Sequence, residues 1–517
     1  MLPPEDSSAS PGEEESGSRS DEAQSDLLEE RRRKLARLRD AGIEPYPPKF
    51  EDREPIAGVR ERYERLATGE ESRDRRRLAG RLTARRGHGG AAFLDLQDRS
   101  GQIQLHARQD VLGEDEFERL VGLDLGDLIG VEGVPFRTKR GELSLRVDRW
   151  TLLAKSLRPP PDKYHGLADV ELRYRHRELD LLANPETREL FVLRTRVVGA
   201  VRRFLDQRGF LEVETPVLQP LYGGALARPF TTYHNALDRK LYLRIATELY
   251  LKRLIVGGLE KVYELGKDFR NEGLSYKHNP EFTMLETYEA YVDYQDVAAM
   301  TEELVAYVAT ETTGRASVEI EGKQVDLAPP WRRITLREAI RKHTGVDIEQ
   351  HHEREALSSA MKAAGIQFED DPGVGWGKLV DELLSKQVEP NLIEPTFVLD
   401  YPEELSPFAK PHRSEEGLVE RFEGFIGGIE VANAFTELND PDEQRRRFEQ
   451  QQRLLQAGDE ETQPYDEDFV QALEHGMPPT GGLGLGIDRL MMLLSGRRSI
   501  REVVLFPALR GRITGDG

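Results

Sequence analysis

The spacing of apolar positions changes twice along the chain, and the changes divide it. Residues 1–26, which include SSASPGEEESGSRSDEAQS, carry few apolar groups among Ser, Glu and Pro and predict a disordered acidic tail. From Leu27 to Gly42, LLEERRRKLARLRDAG joins helix formers and a basic middle to a glycine stop. Residues 27–70 are therefore expected to form a helical segment, whose basic face suits either solvent or RNA. From Leu78 the texture becomes that of β-strands in five short runs: LAGRLTARR, AAFLDLQD, GQIQLHAR, DLIGVEGVPF and ELSLRVDRWTLL. Turn signals at Gly87–Gly90, Arg99–Gly101 and Arg140–Gly141 separate them, and a helical piece, EDEFERLVG, falls between the third and fourth. After SLRPPPDKYHG, whose prolines favour stiff extended chain, helical spacing returns in ELRYRHRELDLL and ETRELFVLRTRVVGAVRRFLDQRG. Strands and hairpins follow, with a helical insertion expected at about 316–390.

Five strands with a helix in the third gap is the order of a small oligonucleotide-binding barrel, the OB-fold, expected here over 71–155. A linker at 156–171 and a larger domain over 172–517 complete the division, and 517 residues fit two to four domains. Cysteine is absent, which excludes disulfides and thiolate metal sites and fits a reducing compartment. The start MLPPEDSSAS lacks the basic and apolar regions of a secretion signal, and no run approaches the roughly 20 apolar residues of a membrane span. The expectation is a soluble, cytoplasmic protein that makes no membrane contact. Its formal net charge of −21, from 94 acidic against 73 basic residues, repels polyanions overall. Any nucleic-acid contact must come from local basic patches.

Three stretches of the larger domain gather chemistry. KVYELGKDFRNE and PEFTMLETYEAY predict a β-hairpin whose loop holds Lys277, His278 and Asn279. Alternation places Arg270 with Glu272 on one face, and Phe282, Met284, Glu286 and Tyr288 on one face of the partner strand. The surface reads either as a salt-bridged sheet face or as a ligand site. ERFEGFIGGIEVANAFTELND turns at Gly427–Gly428, so Phe425 faces Glu430 and Glu423 lies one step along. Two carboxylates so placed repel unless a cation lies between them, and Mg2+ is the natural candidate. Parity puts Asn433, Phe435 and Glu437 on the opposite face, so the strand must bulge or bend for all to meet one ligand. GGLGLGIDRLMMLL reads as a glycine-lined strand entering a helix, with Arg489 in the first turn where anions find free N–H groups.

In this order FRNEG, HNPEFT and GLGLGIDR resemble motifs 2 and 3 of the class II aminoacyl-tRNA synthetases, and RGFLEVETPVLQP resembles motif 1, their dimer-forming element. Similarity to the lysyl-tRNA synthetase family runs from about Leu27 to Arg510, through GGALARPF, RIATELYLKRL and IREVVLFPALR. The resemblance implies an α+β catalytic domain on an antiparallel sheet flanked by helices, preceded by the OB-fold barrel. The implied partners are L-lysine, ATP, tRNA(Lys) and a second copy in a homodimer, with Mg2+ as cofactor.

Residue by residue, the resemblance gives the lysine ε-ammonium to Glu437 and Tyr288, with Asn433 and Phe435 shaping the pocket. Glu248, Glu286 and the Gly224 backbone take the α-amino end. Arg270 bridges the substrate carboxylate and the ATP α-phosphate. Phe282 and Arg489 sandwich adenine, Glu272 and Asn279 read it, His278 approaches the terminal phosphates, and Glu423 and Glu430 carry Mg2+. In the barrel Arg86, Phe93, Gln104 and Glu142 contact anticodon bases, through the stacking and base-edge hydrogen bonds that read single-stranded RNA. Independently of the resemblance, an acid-lined, aromatic pocket suits an amine rather than an acidic amino acid, against an aspartate- or asparagine-charging relative. A binding protein without catalysis, or an enzyme that lysylates proteins, are the other readings. The intact arginines and glutamates and the barrel oppose them. Thr247 stands where the family usually has proline, Leu226 where a small residue is usual, and Ile429 where a polar one is frequent.

Overall fold

The computed structural model describes residues 11–161, 167–370, 374–456 and 462–511. The chain divides into two compact units, residues 1–167 and 168–517.

In the first unit the alternating runs close into a barrel. Strands β1 (Arg76–His88), β2 (Ala91–Gln97), β3 (Gln102–Arg108), β4 (Leu128–Arg137) and β5 (Leu143–Ala154) pair in the order β1-β2-β3-β5-β4, with β1 returning to β4. The expected helix, Glu114–Val121, lies between β3 and β4 and inserts Phe117 and Leu120. Every second residue of β2 and β3 is buried, so Leu94, Leu96, Ile103 and Leu105 fill the interior while their neighbours face outward. Alternation alone was enough to read these strands.

The N-terminal helix spans Pro11–Asp40 rather than opening at Leu27. Residues 11–26 of the expected disordered tail belong to it, and residues 1–10 lie outside the described residues. The disorder expectation rested on the shortage of apolar groups. Glu, Ala and Arg also form helix readily.

The second unit is built on an eight-stranded sheet. Its strands are β6 (Leu211–Glu212), β10 (Lys261–Phe269), β11 (Glu281–Ala290), β14 (Arg332–Thr335), β15 (Thr396–Pro402), β16 (Leu418–Ile426), β17 (Ile429–Thr436) and β18 (Thr480–Gly486). The spatial order is β14-β15-β16-β17-β18-β11-β10-β6, antiparallel except at the two edge pairs. A three-stranded sheet of β7 (Leu218–Gln219), β8 (Thr231–His234) and β9 (Arg239–Leu243) and a hairpin of β12 (Ser317–Ile320) and β13 (Lys323–Asp326) flank it. On one face the helices Pro185–Gln207, Tyr294–Thr313 and Ile487–Ser495 bury Val201, Phe204, Leu304, Val305 and Met491 against Leu285, Phe422, Leu483 and Leu485.

The expected insertion at 316–390 begins differently. Its first twenty residues form the β12–β13 hairpin and β14, an edge strand of the main sheet, and its helices lie within 336–391. Runs of four residues such as SVEI and RRIT are too short for a period to be read from them. The hairpin of the main sheet also ends sooner than expected. β10 stops at Phe269, so Arg270 and Glu272 sit in the loop and share no strand face.

The barrel turns sharply where β4 steps out of register at Glu132/Gly133 opposite β5. A Cβ on Gly133 would overlap the carbonyl oxygen of Arg146. Gly133→Ala should therefore destabilise the first unit by about 1–3 kcal/mol, the usual range for overpacking, measured by denaturant unfolding.

Candidate active site

The side of the main sheet opposite the long helices holds a cavity of about 350 Å3. Its floor follows from one strand. In β18, Leu483 and Leu485 point into the core, so Gly482, Gly484 and Gly486 face the cavity and leave it open. A Cβ on Gly482 would overlap Glu437 Oε1, so this glycine makes the room that the carboxylate occupies. In the neighbouring β11, Phe282, Met284, Glu286 and Tyr288 line the cavity, as alternation requires.

The bend needed in β17 is present. Gly424 pairs with Ala432, but Phe425 pairs with Glu430, leaving Val431 as an extra residue in the strand. This bulge returns Glu430 to the cavity side together with Asn433, Phe435 and Glu437, all of which line it. Gly427 and Gly428, at φ 63° and 71°, make the tight turn before it.

At the amine-favouring end, Glu248, Glu286, Tyr288 and Glu437 are buried together. Glu286 Oε1 accepts from the Thr247 backbone N–H at 3.0 Å, and Oε2 accepts from the Tyr288 hydroxyl at 3.2 Å. Proline, usual at 247 in the family that the sequence resembles, has no N–H to give. Among the described residues Glu437 Oε1 has no hydrogen-bond partner. Burial, reinforced by the Asp268 and Glu248 charges, pushes the Glu286 carboxyl up to about 8. Burial also raises Glu437 to about 8, although Lys252 opposes it. Gly224, at φ 88°, brings its backbone close to Glu248, and its N–H donates to Gln463 Oε1 at 3.2 Å.

The other end is cationic. Arg270 lies 5.1 Å from the centroid of the Phe282 ring, and Arg489 donates to Glu430 Oε2 at 2.8 Å and to the Glu430 carbonyl at 2.9 Å. His278 Nδ1 lies 2.9 Å from the Ser275 hydroxyl. Burial, with Arg489 and Lys277 nearby, lowers its pKa to about 4, so the imidazole is neutral. Lys277 pairs with Glu389 at 2.7 Å. Asn279 is spent on structure: its side chain donates to the Glu281 carbonyl and accepts from Ala508 N–H. Glu272 lies on the exposed rim.

Glu423 is the member of the expected set that does not line the cavity. It pairs instead with Arg421 at 2.5 Å, and burial, with the Glu430 and Asp381 charges, raises it to about 7. For Glu430 burial opposes ionisation, but the charge and hydrogen bond of Arg489, together with the Arg421 and Arg270 charges, lower the pKa. Among the described residues no group of three or more His, Asp or Glu is arranged to hold a metal. These two carboxylates supply hard oxygens suited to Mg2+, and further ligands would have to come from phosphate and water.

Residues 169–510 match the family model of class II tRNA synthetases (D, K and N), and residues 77–153 match that of the OB-fold nucleic acid binding domain. The chain belongs to the class II tRNA synthetases. It is 55% identical to the lysine–tRNA ligase of Moorella thermoacetica over 489 residues, 95% of this chain and 99% of that protein. The lysine–tRNA ligases of Carboxydothermus hydrogenoformans and Bacillus subtilis are 52% and 50% identical, each over 94% of this chain and 98% of their own length.

On the synthetase's barrel, Arg86 faces Phe93 across β1–β2, Phe93 faces His106 across β2–β3, and Asp95 faces Gln104. Phe93 stacks on His106 with centroids 4.6 Å apart and planes 9° from parallel, and Phe136 tilts against His106 at 5.6 Å. Arg86 reaches Asp95 at 3.2 Å, and Gln104 Oε1 accepts from Ser144 at 3.0 Å. Glu142 stands apart from this face at the β4–β5 turn, 3.6 Å from Arg60. His106 and Phe136 are aromatic members that the sequence reading missed, although GQIQLHAR and GVPF sit in the alternation that would have placed them. Arg421 and Lys252 were missed as well. Lys252 lies four residues after Glu248 in ELYLKRL, a spacing that puts both on one helix face.

The raised carboxyls carry a consequence for any ligand that brings an ammonium group. Glu286 and Glu437 are mostly protonated in the free protein at pH 7, whereas an ammonium stabilises their ionised forms. Binding should therefore release protons, and affinity should strengthen as pH rises from about 7 towards 8.5. Calorimetric titration with lysine, in buffers of different ionisation enthalpy, measures both.

Proposed function

We infer that the chain attaches L-lysine to tRNA(Lys). ATP first converts lysine to lysyl-adenylate and pyrophosphate, and the lysyl group then passes to the 3′-terminal ribose of the tRNA. The observation that carries this reading is the floor of three buried carboxylates, Glu248, Glu286 and Glu437, on a class II site whose other end is lined by Arg270 and Arg489. A zwitterion with an extra amine beside a triphosphate requires this separation of sign. The lysine–tRNA ligases that match nearly the whole chain support the same substrate.

In this reading Glu437 and Tyr288 hold the ε-ammonium, Asn433 and Phe435 wall the stem, and Glu248, Glu286 and the Gly224 backbone hold the α-amine. The lysine carboxylate then lies towards Arg270 and attacks the α-phosphorus in line, breaking the bond to pyrophosphate. Arg270 neutralises charge on both reacting groups. Arg489 leaves Glu430 to stack over adenine opposite Phe282, Glu272 offers an acceptor to the base, and Asn279 keeps the adjoining backbone in place. Neutral His278 can donate to a terminal phosphate oxygen. Glu423 and Glu430 are the proposed Mg2+ ligands, and bound Mg2+ would neutralise phosphate charge. In the second step a ribose hydroxyl attacks the lysyl carbonyl carbon and AMP leaves. No protein nucleophile is required, so the rate comes from positioning and electrostatics.

Arg86, Phe93 and Gln104 are proposed to read anticodon bases by stacking and edge contacts, with Glu142 at the rim. A homodimer is proposed through the stretch similar to motif 1, where Leu211, Val217 and Leu218 are exposed apolar side chains. A cytoplasmic setting is proposed, since a chain without cysteine fits a reducing compartment. Among the described residues no helix is long and apolar enough to cross a membrane.

Arg270→Ala should reduce lysine-dependent ATP–pyrophosphate exchange by at least a thousandfold. Near-normal exchange would remove Arg270 from the chemistry. Phe93→Ala should leave that exchange unchanged while lowering kcat/KM for tRNA charging by about tenfold, the worth of one stacked base. Equal charging by the variant and the parent would count against the barrel reading.

A further inference from the structure

Lys252 does not itself line the cavity but pairs with two carboxylates of its floor, and the lysine reading leaves it without a task. It lies one turn after Glu248 on the helix Glu248–Val256, and its side chain is fully buried. Its Nζ stands 2.7 Å from Glu248 Oε1 and also pairs with Glu437 Oε2. The Phe408 and Phe469 rings face the ammonium, with centroids at 5.2 and 6.0 Å. Burial works against this charge, but Glu248 and Glu437 together hold its pKa above the ordinary value. A buried ion pair contributes little that an apolar side chain of similar volume would not, so packing alone is a poor reason for a lysine here. Its partners are moreover the carboxylates that a substrate amine must use.

The charges facing this point come from each surrounding element. Glu248 shares the helix, Glu286 and Tyr288 come from β11, and Glu437 follows β17. Arg421 on β16 is engaged by Glu423, Asn433 and Ser406, and Asp268 on β10 is paired with Arg244. Tyr288 is neutral, because burial and the neighbouring glutamates hold its phenol well above its ordinary pKa. When ionised, the floor therefore carries three carboxylates offset by one ammonium, a net charge of −2. Lysine presents two ammonium groups. With Oε2 held by Lys252, Glu437 keeps Oε1 unpartnered among the described residues and available to a ligand.

We propose that Lys252 is a positioning residue for amino-acid selection, which holds the Glu248 and Glu437 carboxyls in place and favours their ionisation, so that the pocket can meet a substrate with two ammonium groups. The proposal rests on the lysine reading above. Without Lys252 the carboxyls hold their protons to still higher pH and lose the contact that places them, so the pocket meets both amines less readily as anions.

The test compares wild type, Lys252→Met and Lys252→Arg as full-length proteins, in lysine-dependent ATP–pyrophosphate exchange between pH 7 and 8.5. Lys252→Met should raise the KM for lysine at least tenfold at pH 7, leave the KM for ATP within twofold, and regain lysine affinity as pH rises. Calorimetry should show more protons released per lysine bound than in wild type. Lys252→Arg, which keeps the charge, should retain the wild-type pH profile. A lysine KM within twofold of wild type in Lys252→Met overturns the proposal, as does a loss of lysine and ATP affinity together that no pH change relieves. If Lys252→Met does not fold, Lys252→Arg decides: a wild-type profile supports the proposal, and a profile displaced to higher pH overturns it. Wild type that exchanges with other amino acids but not lysine refutes the lysine reading itself. Lysine-specific wild type beside an unaffected Lys252→Met refutes only the role of Lys252.

Discussion

The site depends on a strand whose cavity face is lined by glycines. In β18 the leucines lock into the core beneath the long helices, and the glycines between them leave the opposite face bare. Glu437 fills the space above Gly482, and Tyr288 of the neighbouring strand borders it. Any side chain at 482 would evict a carboxylate from the position where it can meet an amine. A sheet is a good platform for this because alternation lets one strand serve the core and the cavity at once.

The second constraint is that buried charges need partners before a ligand arrives. The protein supplies them from within: Arg489 on Glu430, Arg421 on Glu423, and Lys252 on Glu248 and Glu437. These pairs keep the free cavity tolerable at both ends. Where pairing is incomplete, at Glu286 and Glu437, the carboxyls hold their protons to unusually high pH. Ligand binding then becomes an exchange of partners, in which substrate charges replace protein ones. Preorganised dipoles and charges of this kind act strongly because water is already excluded.

In the proposed function the two units divide the labour of recognition. The catalytic unit reads a small molecule by burying charge, whereas the barrel presents a half-buried aromatic stack with a cation and an amide beside it. The acidic excess of the whole chain leaves such local groups as the means of nucleic-acid contact. His106 and Phe136 extend the stack beyond Phe93, so the surface is wider than a single aromatic residue suggests.

The sequence by itself determined the period-two strands of the barrel, the glycine turn at 427–428 and the strand-to-helix passage that carries Arg489. Each of these is local, set by alternation, by φ above zero or by a helix start. Of the small-molecule site residues it named, all but Glu423 line the cavity, because their motifs are contiguous runs. Tertiary structure decided which of them meet. The bulge at Val431 depends on pairing with Gly424 and Phe425, so it brings Glu430 and Asn433 to one side where parity alone had separated them. The withdrawal of Glu423 to Arg421, the end of β10 at Phe269 and the seating of Lys252 between two glutamates likewise depend on neighbours distant in the chain. A side chain's face is written in its own segment, whereas its partner is chosen by whatever the fold brings opposite.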